Sequence, residues 1–358
     1  MARYLMLDIG AGTLDMLYYD TEHDLHYKAV VRSPVRVLAD EIRQTRGALV
    51  VTGTEMGGGP VSQALIDRAG SADVVMSRDA AATIHHDDRR VMARGIRVVD
   101  AAETDGLVND SRFSHIITGD LQPDRLRRLV QGMGVPFEFD AVAVCAQDHG
   151  VAPPGVSHLD FRHRMFTAAL DRHPVPQALL YRSDQVPEAM NRLSAIAGQA
   201  RALPTDRVYV MDSGMAAILG ASKDVLAANA KRMLVLDIAT SHTVGAAMDA
   251  GRLCGFFEYH TSDITAARLD GLLADLPDGK LSHRQILEEG GHGAYHCRAF
   301  GYDAVDLILA TGPRRAMALA SSLPVVFGAP WGDNMMTGTV GLMEAVRLRE
   351  GLPPITYL

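Results

Sequence analysis

Residues 4–31, YLMLDIGAGTLDMLYYDTEHDLHYKAVV, alternate three short apolar runs with two polar turns, GAGT and DTEHD. The pattern returns at 233–260, MLVLDIATSHTVGAAMDAGRLCGFFEYH, where the turns are ATSHT and DAGR. Runs of this length divided by this turn chemistry predict a three-stranded antiparallel meander in each half. An offset of 229 places Leu5 on Leu234, Leu7 on Leu236, Asp8 on Asp237, Ile9 on Ile238 and Asp20 on Asp249. Two unrelated hairpins with shared strand residues are the alternative. Asp, however, is depleted in strand interiors. Its return at the end of the first strand points to a site that takes one carboxylate from each half.

Three further patterns surround the second copy. Residues 208–221, VYVMDSGMAAILGA, predict a strand that ends at Asp212 and passes into a helix with Ala216, Ala217 and Gly220 on it. Asp212 suits the N-cap of that helix. Residues 306–315, DLILATGPRR, predict a buried strand, a glycine turn and a helix start, where Pro313 is tolerated at the cost of one N–H. Residues 332–345 predict a final helix carrying Gly338 and Gly341.

These five pieces, in this order, resemble the actin, sugar-kinase and heat-shock-chaperone ATPase superfamily over about 1–31 and 205–350. The resemblance implies an α/β fold of two related ribonuclease-H-like domains (the actin-like ATPase fold). Each would have a mixed sheet that begins in an antiparallel meander and is flanked by helices. It implies a first domain at 1–230 plus 336–358, with an insertion at about 32–200, and a second at 231–335.

By the same resemblance the cofactors are ATP and Mg²⁺. Asp8 and Asp237 would hold the metal, usually through waters. Gly10, Gly12, Thr13, Thr240, Ser241, His242 and Thr243 would line the phosphates, because a glycine-rich turn lets backbone N–H groups approach an anion. Asp212 would orient a water or accept a proton from an acceptor hydroxyl. Thr311, Gly312 and Arg314 would border the nucleoside, with Arg314 or Arg315 against adenine.

The implied function is an ATPase or phosphotransferase that acts on a small molecule or partner. The alternative is a non-catalytic nucleotide sensor, favoured by Ala239, His242 and Pro313 in the turns. The chain is also similar to a branch of the superfamily called pyruvate formate-lyase activating enzyme. That activity needs grouped thiolates for an iron–sulfur cluster, and Cys145, Cys254 and Cys297 are too far apart in sequence to supply a short-spaced motif.

Composition changes this picture little. The length suits two domains, and 47% hydrophobic with 22% charged residues excludes a disordered chain. A net charge of −8 disfavours nucleic acid as a partner. Few cysteines, a short apolar start at Met1–Leu7 and no long apolar run lead us to expect a cytoplasmic protein without a membrane partner, with oligomerisation open.

Several polar clusters lie outside the motifs. Gly53–Pro60 is either a ligand loop or a turn, and Gln147, Asp148 and His149 follow a buried strand whose carboxyl end suits active groups. His292 and His296 have the i, i+4 spacing of a zinc pair, but Gly290, Gly291 and Gly293 argue for a loop near the cleft. His85–Asp88 reads as a solvated turn.

Overall fold

A computed structural model describes residues 2–355; residues 356–358, the end of the expected first domain, lie outside it. The strands are β1 Arg3–Ile9, β2 Thr13–Asp20, β3 Leu25–Arg32, β4 Ala48–Gly53, β5 Val74–Ser77, β6 Arg97–Val99, β7 Phe113–Thr118, β8 Ala141–Ala146, β9 Leu180–Arg182 and β10 Val208–Asp212. They continue as β11 Arg232–Ile238, β12 His242–Asp249, β13 Arg252–His260, β14 Gly293–His296, β15 Leu307–Thr311 and β16 Val325–Phe327.

Two six-stranded sheets have the orders β3-β2-β1-β8-β10-β9 and β14-β13-β12-β11-β15-β16. In each, an antiparallel meander has two parallel strands added beside its first member; an antiparallel edge strand completes each sheet, β9 beside β10 and β14 beside β13. This repeated topology is the ribonuclease-H-like arrangement that the motifs implied. β1 and β11 even share one sequence of burial along their seven residues, with only the first residue and the Asp less than fully buried. Central strands covered on both faces require such continuous apolar runs.

A third sheet, of order β6-β5-β4-β7, is wholly parallel and has its own core of Val, Leu, Ile, Met and Ala side chains. The segment expected as one insertion is therefore composite. β8 and β9 lie within 32–200 but belong to the first sheet, with Val142 and Val144 paired to Leu5 and Leu7. Apolar β8 reads as any buried strand, and nothing local states which sheet it joins.

The helices Ser213–Ala221 and Thr337–Glu350 cross between the two large sheets. They meet at glycines: a Cβ on Gly220 would overlap the Thr337 carbonyl, and one on Gly341 the Ala216 carbonyl. The final helix stops at Gly351 in the left-handed conformation, φ 67°. After Gly312 the chain forms a 3₁₀ helix at Arg315–Ala320 rather than an α-helix. No helix among the described residues is long and apolar enough to cross a membrane.

Candidate active site

The β1–β2 and β11–β12 turns face one another across a cleft of about 1310 Å³. Their backbones correspond bond for bond. The Gly10 N–H donates to the Thr13 carbonyl at 3.0 Å, and the Ala239 N–H to the His242 carbonyl at 3.1 Å. The Ser33 hydroxyl donates to the Gly10 carbonyl at 2.7 Å, and the Thr261 hydroxyl to the Ala239 carbonyl at 2.8 Å. A Cβ on Gly12 would lie 3.3 Å from Thr240 Oγ1, so the two turns nearly touch.

Below the turns lie three carboxylates, Asp15 buried and Asp8 and Asp237 partly so. Asp8 stands directly opposite Asp15 in the β1–β2 register, a like-charge pairing that destabilises a sheet. Burial, reinforced by neighbouring acids, pushes Asp8 up to about 6, Asp15 to about 8 and Asp237 to about 7. Asp15 Oδ1 is buried without a partner. Two glycines make room for the set: a Cβ on Gly338 would overlap Asp8 Oδ2, and one on Gly312, at φ 89°, would sit 2.6 Å from Asp237 Oδ1. Mutually raised acids with an orphaned oxygen are the donor set that a hard divalent cation satisfies.

Asp8, Gly10, Gly12, Thr13, Asp237, Thr240, Ser241 and His242 all line the cleft. Thr243 points the other way, buried with its hydroxyl 3.0 Å from that of Thr261, because strand neighbours alternate faces. Thr311 supports Asp237 through a 3.3 Å hydrogen bond. Arg314 is exposed and is not among the residues lining the cleft, whereas Pro313, Asn334 and Met335 are. Arg315 donates to the Gly328 carbonyl and lies over the Phe327 ring at 5.4 Å.

Asp212 is 1% exposed and has both oxygens engaged. Oδ1 accepts from the Met215 N–H at 3.2 Å and caps its helix, while Oδ2 accepts from Arg162 Nη2 at 2.8 Å. Arg162, buried on the helix His158–Leu170, also donates to Glu258 Oε2 at 2.5 Å. One guanidinium thus joins β10 of the first sheet to β13 of the second. Burial raises Asp212, and Arg162 only partly offsets this. Glu258 is buried too, yet the Arg162 guanidinium above all, with His292 beside it, holds it well below the usual carboxylate range.

The cleft continues into a histidine-lined end. His242, His260 and His292 bring their ring nitrogens within 4.8 Å of one another. The His149 ring stands 5.7 Å from that of His292. Burial depresses His149 to about 3 and His242 to about 4, so both rings are neutral. His296 is exposed at the end of β14 and takes no part. On the remaining wall, the Gly53–Pro60 loop brings Glu55 to His86 Nε2 at 3.0 Å, and Arg192 donates to both oxygens of Asp120 at 2.7 and 2.9 Å. His85 and His86, expected in a solvated turn, line this wall.

Asp15, Arg162, Glu258 and His260 were not among the expected site residues. Only Asp15 had a visible signal, since it lies in the first motif and a tight hairpin places it across from Asp8.

The sequence model of the family described as "Putative pyruvate format-lyase activating enzyme (DUF1786)" matches residues 56–317, more than half of the chain. The chain belongs to this family. No curated protein matches it. Among solved structures it is similar to the PilM-PilN type IV pilus biogenesis complex (11% identity, TM-score 0.39, 98% of this chain and 99% of that one). It is similar to the inorganic polyphosphate/ATP-glucomannokinase from Arthrobacter sp. strain KM (12%, TM-score 0.38, 98% and 100%). It is also similar to the activator of the 2-hydroxyisocaproyl-CoA dehydratase from Clostridium difficile with bound ADPNP (10%, TM-score 0.31, 99% of each).

The family's description implies an iron–sulfur cluster, and the thiols present do not fit one. Cys145 is buried in β8 beside Asp8, and Cys254 is buried in β13. Exposed Cys297 lies against the Leu253 and Cys254 carbonyls and beside the Tyr295 hydroxyl. Among the described residues no three thiols come together.

Proposed function

We propose that the cleft binds ATP with Mg²⁺ and that the protein hydrolyses ATP or transfers its terminal phosphoryl group to a small molecule or partner. The observation that carries this reading is the pair of equivalent turns facing each other above Asp8, Asp15 and Asp237, of which Asp15 is buried. Phosphoryl transfer asks a protein mainly for positioning and charge neutralisation. In this reading, backbone and hydroxyl groups of Gly10–Thr13 and Thr240–Ser241 hold the phosphates, and Asp8, Asp15 and Asp237 hold the cation. Mg²⁺ supplies neutralisation of phosphate charge. Pro313, Asn334 and Met335 border the nucleoside, and the loops of the third sheet form the acceptor wall.

Asp212 serves as a positioning residue here, since Arg162 and the helix cap engage both its oxygens. That engagement also favours the second reading, a nucleotide-sensing or partner-binding protein. The low cysteine count supports a cytoplasmic location.

Thermal shift with ATP, with and without Mg²⁺, tests binding; analysis of products then separates the two readings. We expect a Mg²⁺-dependent rise in Tm that Asp8→Ala abolishes while circular dichroism stays unchanged. An unchanged Tm with every nucleoside triphosphate tried would refute both readings.

A further inference from the structure

We propose that His242, His260 and His292 form a site for a borderline divalent transition-metal ion such as Zn²⁺, separate from the carboxylates. Three neighbouring segments carry the ligands. His242 opens β12 and stands directly opposite His260 at the end of β13. His292 lies just before β14, with its backbone N–H bonded to the Glu258 carbonyl at 2.8 Å. Two of the three ligands sit on paired strands, and the third is tied to β13 by its backbone bond, which makes the site more precise than one built on free loops.

The distances suit an ion. His292 Nε2 and His260 Nε2 are 3.0 Å apart, and tetrahedral zinc with bonds of about 2.0–2.1 Å separates its nitrogens by about 3.3 Å. The third nitrogen lies within 4.8 Å, so a ring shift of about 1 Å completes the triad.

An N–H···N bond between His292 and His260 would satisfy that contact without metal. It would still leave His242 Nε2, buried and without a partner, unexplained. His292 is 8% exposed, and its Nδ1 is likewise buried and unpaired, with Glu258 Oε1 at 3.6 Å. An ion on the three histidines accounts for both atoms. His242 gains a bond, and His292 turns its Nδ1–H toward Glu258, the carboxylate–histidine–metal relay that fixes a ligand's tautomer. Imidazole sets select zinc, iron, nickel or copper over Mg²⁺. Three protein ligands leave a fourth position open to the cleft for water or a substrate oxygen, as in catalytic rather than structural zinc sites.

This inference does not rest on the nucleotide reading, and its test contains no nucleotide. The full chain, stripped with a chelator, is loaded with Zn²⁺ for metal analysis and with Co²⁺ for absorption spectroscopy, both in excess Mg²⁺. We expect one ion per chain and a Co²⁺ visible spectrum of low coordination number with histidine ligands. His260→Ala, at the more open ligand, should weaken binding at least 100-fold with circular dichroism unchanged. Glu258→Gln should weaken it about 10-fold, and Asp8→Ala should leave it unaltered.

The surface group Asp20, Glu22 and His23 is the control. Loss of the ion in His23→Ala but not in His260→Ala would overturn the assignment. So would failure of the wild-type chain to retain either metal.

Discussion

Asp15 shows what the site demands of single residues. A carboxyl that is 7% exposed and faces Asp8 is a poor choice for stability. Its raised pKa means that the folded chain holds more protons than the unfolded one, so stability falls as pH rises through about 8. The depressed His149 and His242 act in the opposite sense only below their ordinary value, near 6.5. Between pH 6.5 and 8.5, in chelator, the unfolding midpoint of the wild type should therefore decline. Asp15→Asn should flatten that slope and raise stability at pH 8.5 by on the order of 1 kcal/mol or more. Parallel pH slopes for the two proteins would rule out the account. Mg²⁺ should stabilise the wild type more at pH 8 than at pH 6, because a cation competes with those protons.

At the scale of elements, the duplicated hairpins were legible because they are local: strand length, turn and buried face all follow from consecutive residues. The histidine triad was not, and a β-bulge gives the reason. Leu253 pairs with Met248 near the turn, so an unbroken ladder would set Tyr259 opposite His242. The bulge between Ala247 and Met248 shifts the register by one and brings His260 there instead. The corresponding hairpin of the first half keeps its register from Asp20–Leu25 to Thr13–Arg32. The helix crossing, by contrast, was visible in its small residues. Gly341→Leu drives a side chain into the Ala216 carbonyl and should cost about 1–3 kcal/mol or more, read as a lower urea midpoint. A midpoint equal to that of the wild type would mean that the helices do not pack this tightly in solution.

For the whole molecule, the two large sheets follow the sequence repeat, but the third sheet depends on pairings up to 65 residues apart, such as Ala48 with Phe113, and the membership of β8 on pairings 137 residues apart, such as Tyr4 with Ala141. We propose that the chain divides at 1–230 plus 336–358 and 231–335, with the third sheet carried on the first part. The segments that follow its strands β4 and β5 line the cleft, at the carboxyl ends where such sheets bind ligands.

The buried ion triad spans this division. Arg162→Met strands Asp212 and Glu258 and should cost about 3–5 kcal/mol, whereas adding Asp212→Asn and Glu258→Gln should restore much of the loss. Equal stability of the single and triple variants would show that the carboxylates do not depend on Arg162. The triad has a mechanical consequence as well. Separating the two sheets at this point would break at least one of the two Arg162 ion pairs, so the clasp opposes it. The clasp thus ties the two large sheets together at one buried side chain.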